Sequence, residues 1–225
     1  APDSSTGSTE SRNHQPFNPM AHITQHVNEA IRPISQADTR TQSGHSLHPT
    51  VERFDWQFVC YTPQHHAALA AAKRFASAAL NREEPRWLTL LGPSGIGKTH
   101  LLRQTLKLCH RLVNVDGWPR ELSTMRVIPT RDLDVYSSAR DFAQNFDVVF
   151  VEDIMAGDKG AGAVIRDRIA DLLQQRSRRF TLIDGNFSGL GDVADYFDGR
   201  ISSRMMRDSS EFIQFDPATA DFNEI

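Results

Sequence analysis

Gly92-Pro93-Ser94-Gly95-Ile96-Gly97-Lys98-Thr99 decides the fold. The stretch matches the G-x-x-x-x-G-K-[ST] phosphate loop at every fixed position. The apolar run Trp87–Leu91 enters it and reads as a buried strand. A helix over Thr99–Leu112 leaves it, with Leu101, Leu102, Leu108 and Leu112 in helical period. Glycines let the loop curl so that backbone N–H groups point inward at phosphate oxygens. The helix N-terminus adds a partial positive charge. Lys98 is expected to reach the β and γ phosphates, and the Thr99 hydroxyl to serve Mg²⁺. Gly92 to Thr99, with His100 beside them, form the expected site for ATP or ADP.

Outward from the loop the pattern alternates. Thr62-Pro63 supplies an N-cap and a first-turn proline for a helix running to about Leu80. Further strands are expected at Met125–Ile128, Val148–Val151, Phe180–Ile183 and Phe212–Phe215. Helices are expected at Ser138–Asn145, Ala163–Gln175, Asp192–Phe197 and Ile201–Met206. Strands alternating with helices predict an α/β, three-layer P-loop NTPase with a mostly parallel five-stranded sheet. Residues 1–48 differ: the first 16 are polar and aperiodic, and read as a flexible arm. Within it, Met20, Ile23, Val27, Ala30 and Ile31 fall near helical spacing. This predicts a short helix near 18–32 that docks on a partner, packs on its own domain or stays unstructured.

Composition sets outer limits. The 225 residues carry 25 Lys+Arg and 28 Asp+Glu, a formal charge of −3, which excludes a generally basic nucleic-acid coat. The 2 cysteines, Cys60 and Cys109, lie far apart and in no ligand spacing. That excludes a zinc finger or disulfide scaffold and fits a reducing compartment. His22, His26, His45 and His48 read as solvated rather than metal-binding. No apolar run is long enough to span a bilayer, and no signal peptide is evident, so a cytoplasmic location without membrane attachment is expected.

Three further features fall at strand ends. Asp147-Val148-Val149-Phe150-Val151-Glu152-Asp153 is an apolar strand closing on two acids. One carboxylate there can hold the Mg²⁺ shell, and the other can orient and deprotonate an attacking water. Phe180–Ile183 runs into Asp184-Gly185-Asn186, which places Asn186 to bond the γ-phosphate or that water, or simply in an ordinary turn. Arg200 and Arg204 are four apart and share a helix face. They complete a neighbouring subunit's site in trans, or are solvated or paired with Asp195 and Asp198.

This set, in this order, resembles AAA+ ATPases of the DnaC/DnaA clade, closest to the DnaC helicase loader and IstB-like ATP-binding proteins. The resemblance spans roughly Phe54 to Phe215 and implies an AAA+ core over 49–225. It assigns Lys98 and Thr99 to Walker A, Glu152 to the metal-coordinating position and Asp153 to the catalytic acid. Asn186 matches sensor 1, and Arg204 the arginine finger, with Arg200 as its companion. The Glu152-Asp153 order is the reverse of the usual Asp-Glu. The tail 216–225 carries no sensor-2 arginine, and no C-terminal lid domain is expected.

The resemblance implies slow ATP hydrolysis stimulated by a partner or DNA, in DNA replication, with the replicative helicase and single-stranded DNA as partners. It also implies self-association through Arg204. An IstB-like helper of a transposase, or a nucleotide-gated adaptor with little hydrolysis, are the alternatives. Basic candidates for DNA contact are Arg176 with Arg178 and Arg179, Lys107 with Arg111, and Arg131 with Arg140. Adenine is expected near Phe54–Val59.

Overall fold

Proline and threonine start the first long helix as the sequence predicts. In the computed structural model, Thr62 caps α2 (Pro63–Leu80), its side chain accepting from the His65 N–H, and Pro63 takes the first turn. The described residues are 46–110, 112–115, 118–129, 132–133, 145–154, 162–207 and 209–218. Before α2 lies the short α1 (Pro49–Glu52), whose N-cap His48 accepts from Thr50 N–H at 3.2 Å. The flexible arm and docking helix expected in 1–48 fall outside the described residues, save 46–48.

Then come β1 (Trp87–Leu91), α3 (Lys98–Cys109), β2 (Leu112–Val115), β3 (Trp118–Glu121), β4 (Thr124–Val127) and β5 (Val148–Val151). α4 (Gly162–Gln175), β6 (Phe180–Gly185), α5 (Leu190–Tyr196), α6 (Gly199–Met205) and β7 (Glu211–Gln214) follow. Five strands form one sheet in the order β4-β5-β6-β1-β7, every neighbouring pair parallel. β2 and β3 form a separate antiparallel pair.

Alternation along the strands builds three layers. Leu88, Leu90, Val148, Phe150 and Leu182 pack with α2 and α3 on one face. Trp87, Leu91, Val149, Val151 and Ile183 pack with α4, α5 and α6 on the other. Strands buried on both faces read as continuous apolar runs, which is why β1 and β5 are visible in the sequence. Arg176, fully buried, ties the strand entries together: it donates to the carbonyls of Phe146, Asp147 and Phe180 at 3.2, 3.2 and 2.7 Å.

β4, β7, α5 and α6 each begin one or two residues earlier than expected and end one residue earlier, and two other bounds shift with more consequence. The phosphate-loop helix ends at Cys109, not Leu112. His110 leaves helical geometry (φ −73°, ψ 69°), and Leu112 opens β2, pairing with Glu121. β6 runs two residues further than expected, so Asp184 and Gly185 belong to the strand and are buried. The helix expected at Ser138–Asn145 lies outside the described residues except at its end.

Candidate functional site

Parallel strands deliver their C-terminal ends to one edge of the sheet, and the loops that leave them converge there. β1 ends in the phosphate loop, whose Gly92, Gly95 and Gly97 all take positive φ. Gly97, at φ 86°, serves as the N-cap of α3 without any side-chain cap. The first N–H groups of that helix therefore stay available to a ligand, which suits an anion. Gly92 has a second constraint. A Cβ there would stand 2.7 Å from Cβ of Phe215, so the chain leaving β7 presses on the loop.

Lys98 is buried and folded back on the loop. Its Nζ donates to the carbonyls of Gly92 at 2.8 Å and Pro93 at 2.5 Å, and to Asn186 Oδ1 at 3.2 Å. Burial pushes its pKa down, against the opposing pull of Asp184 and Asp153. The structure thus brings Lys98 and Asn186 together. The Thr99 hydroxyl donates to Asp184 Oδ2, and the Asp153 N–H donates to Asp184 Oδ1 at 2.5 Å. Asp184 is 2% exposed, and burial pushes its carboxyl up to about 6. Asp153 follows β5 with a φ of 50°, a sharp turn that aspartate tolerates better than most residues.

Glu152, beside Asp184, has other partners. Both of its oxygens are held by two guanidinium groups. Arg103 of α3 donates to Oε1 at 2.6 Å and Oε2 at 3.2 Å, and Arg126 of β4 to Oε2 at 2.5 Å and Oε1 at 3.1 Å. Burial raises the Glu152 pKa, but the two arginines outweigh it and hold the carboxyl below the usual range. The expected metal acid is therefore engaged by cations, and the acid that meets Thr99 is Asp184. The sequence alone assigns no role to Asp184 at the end of its strand. Its apolar lead-in, Phe180–Ile183, carries the same strand-then-acid signal as β5.

A cleft of about 510 Å³ borders the loop, lined by Gln57, Phe58, Val59, Tyr61, Gly95, Gly97 and His100. His100 Nε2 bonds the Gln57 carbonyl at 3.0 Å, joining α3 to the 57–61 segment. Val59 and Tyr61 are exposed large side chains on this wall. Beneath it, fully buried His65 bonds Thr62 Oγ1 at 2.7 Å and the Ile96 carbonyl at 3.3 Å. Only an N–H can serve that carbonyl, so His65 carries its proton on Nε2 and accepts from Thr62. Burial lowers its pKa, which keeps it neutral.

Arg200 and Arg204 lie on α6, whose N-terminus Asp198 caps at 2.7 and 3.1 Å. Arg200 is exposed. Arg204 is half-buried, and its Nη1 is shielded from solvent without a hydrogen-bond partner. Among the basic candidates for DNA, Arg176 is buried in the strand entries and presents nothing to a ligand, while Arg178 is exposed. Arg111, Arg131 and Arg140 lie outside the described residues.

No family model matches the chain, and a search of curated proteins finds no match. Solved structures do match. The DnaC helicase loader aligns at 20% identity over 71% of this chain and 94% of its own, with a TM-score of 0.54. DnaI aligns at 21% identity over 74% of this chain and 93% of its own, with a TM-score of 0.51. The chain shares its fold with these two structures. At these identities the likeness concerns architecture, and the chemistry rests on the residues described above. No described helix is long and apolar enough to cross a membrane.

Proposed function

We propose that this chain binds ATP with Mg²⁺ and hydrolyses it slowly, as an AAA+ loader that delivers a replicative helicase to single-stranded DNA. One observation carries the nucleotide part. Lys98, Thr99, Asn186 and two carboxylate-bearing strand ends converge under an uncapped helix N-terminus. Those residue types fit a metal–triphosphate: a buried ammonium for phosphate oxygens, and a hydroxyl beside a carboxylate as hard oxygen donors for Mg²⁺. Bound Mg²⁺ would neutralise phosphate charge. Gly92–Thr99 would cradle the phosphates, and Lys98 would turn from the loop carbonyls toward them. Asn186 and Asp153 would stand at the water side. The cleft of Gln57, Phe58, Val59, Tyr61 and His100 would take the base and ribose. Arg204, with Arg200, would reach a neighbouring subunit's nucleotide. The loader role is supported by the fold shared with the DnaC helicase loader, with the 18–32 segment as the part that would engage the helicase. An IstB-like role beside a transposase is served by the same core.

A nucleotide-gated adaptor with little turnover is the second reading, and one observation favours it: Glu152 is held by Arg103 and Arg126. Steady-state ATP hydrolysis across a protein concentration series, with and without single-stranded DNA, separates the two. Turnover that rises with concentration or DNA, and is lost in Lys98→Ala and Arg204→Ala, supports the loader. Tight binding without turnover supports the adaptor. Absence of nucleotide binding removes both.

A further inference from the structure

We propose that Asp184, on β6, is the carboxylate that serves the nucleotide's Mg²⁺, and that Glu152 does not. The inference deepens the reading of this site as an ATP–Mg²⁺ site and rests on it.

The argument begins with register. β5 and β6 are parallel, with Val151 opposite Ile183. Glu152 directly follows β5 and Asp184 is the next residue of β6, so the two acids are neighbours at this edge of the sheet. Their direct partners differ. Glu152 receives four hydrogen bonds from Arg103 and Arg126, two on each oxygen. A divalent cation placed against that carboxylate would face two guanidinium charges.

Among the described residues, no guanidinium bonds Asp184. It is almost fully buried, and one oxygen accepts from the Thr99 hydroxyl, the phosphate-loop side chain suited to Mg²⁺. The other oxygen is fixed by the Asp153 N–H at 2.5 Å. The carboxylate is thus oriented by a backbone donor and shares a contact with the second hard-oxygen donor. Mg²⁺ is bound through one or two carboxylates plus substrate phosphates rather than by an all-protein cage. The shift of the acid by one strand also gives the inverted Glu152-Asp153 order a physical meaning. The longer Glu152 side chain braces α3 and β4 instead of reaching the metal.

The test is the Mg²⁺ dependence of binding of N-methylanthraniloyl-ADP, titrated by fluorescence with Mg²⁺ and with EDTA. Wild type, Asp184→Asn and Glu152→Gln are compared. Asparagine keeps an acceptor for Asp153 N–H and a donor for Thr99, so the fold is retained, and binding in EDTA verifies it. Mg²⁺ is expected to tighten binding to wild type and to Glu152→Gln. In Asp184→Asn that gain should fall by about tenfold or more, with EDTA affinity unchanged or improved. A Mg²⁺ gain kept by Asp184→Asn, or lost in Glu152→Gln, overturns the inference, and the Glu152→Gln arm decides even if Asp184→Asn does not fold. Wild type that binds equally with and without Mg²⁺ also overturns it while leaving nucleotide binding intact. Wild type that binds in neither condition refutes the nucleotide reading itself.

Discussion

Replacing Gly92 with alanine should destabilise the protein by about 4 kcal/mol even with no nucleotide present. Two terms make up that figure. Gly92 has a φ of +138°, outside what a residue with a Cβ adopts comfortably. Holding such a conformation costs about 1–3 kcal/mol. The added Cβ would also lie 2.7 Å from Phe215 Cβ, 3.1 Å from its carbonyl oxygen and 3.3 Å from its Cα. Carbon pairs prefer about 3.5–4 Å. Phe215 cannot readily retreat, since its N–H bonds the Leu91 carbonyl at 2.9 Å and its side chain is fully buried against His65. Overpacking of this kind costs about 1–3 kcal/mol. Gly191 supplies the control: it lies in α5, and a Cβ there meets nothing within 4 Å. Gly191→Ala should be neutral or gain up to about 1 kcal/mol. Urea unfolding of the three proteins, followed by circular dichroism, measures the differences. A loss below about 1 kcal/mol for Gly92→Ala, or an equal loss for Gly191→Ala, would refute the packing argument.

Other consequences are as direct. Arg176→Met should lose about 3 kcal/mol, because three carbonyls and Thr181 Oγ1 forfeit their donor; exposed Arg178→Ala should change stability by under about 0.5 kcal/mol in the same urea assay. The His65 pKa is lowered by burial, so its share of stability is complete above the unfolded value of about 6.5 and is lost as pH falls below it. Wild type should therefore lose more stability between pH 7.5 and 5.5 than His65→Gln does, and parallel losses would exclude His65. Maleimide should label one cysteine in the native protein. Half-exposed Cys60 reacts, and buried Cys109, its thiol pushed up to about 12, reacts only after unfolding; native labelling of Cys109, read by peptide mass, would contradict this.

Elements buried on both faces are plain in the sequence. The bounds of β1 and β5 follow from apolar runs that stop at glycine or acid, and α2 from Thr62-Pro63. The β2–β3 pair is passed over for a local reason. Leu112 continues the helical period of Leu108, which masks the end of α3. The phosphate loop is legible because its residues are contiguous. The rest of the site is not, because it depends on which strand lies beside which. Nothing near Glu152 in the chain announces Arg103 or Arg126, which arrive from α3 and β4. Nor does Asp184 announce Thr99 before β6 is laid next to β1.

The strand order carries a consequence for synthesis. β1 and its loop emerge early, yet both neighbours of β1, β6 and β7, are the final strands of the described chain. Until they arrive, β1 has no ladder on either side, and a five-residue apolar segment stays open to wrong partners. Such late, long-range closure slows folding, since the intervening chain must be gathered before any pairing rewards it. A fragment ending before Phe180 would carry the whole phosphate-binding motif and lack Asp184, Asn186 and both strands that hold β1 in place.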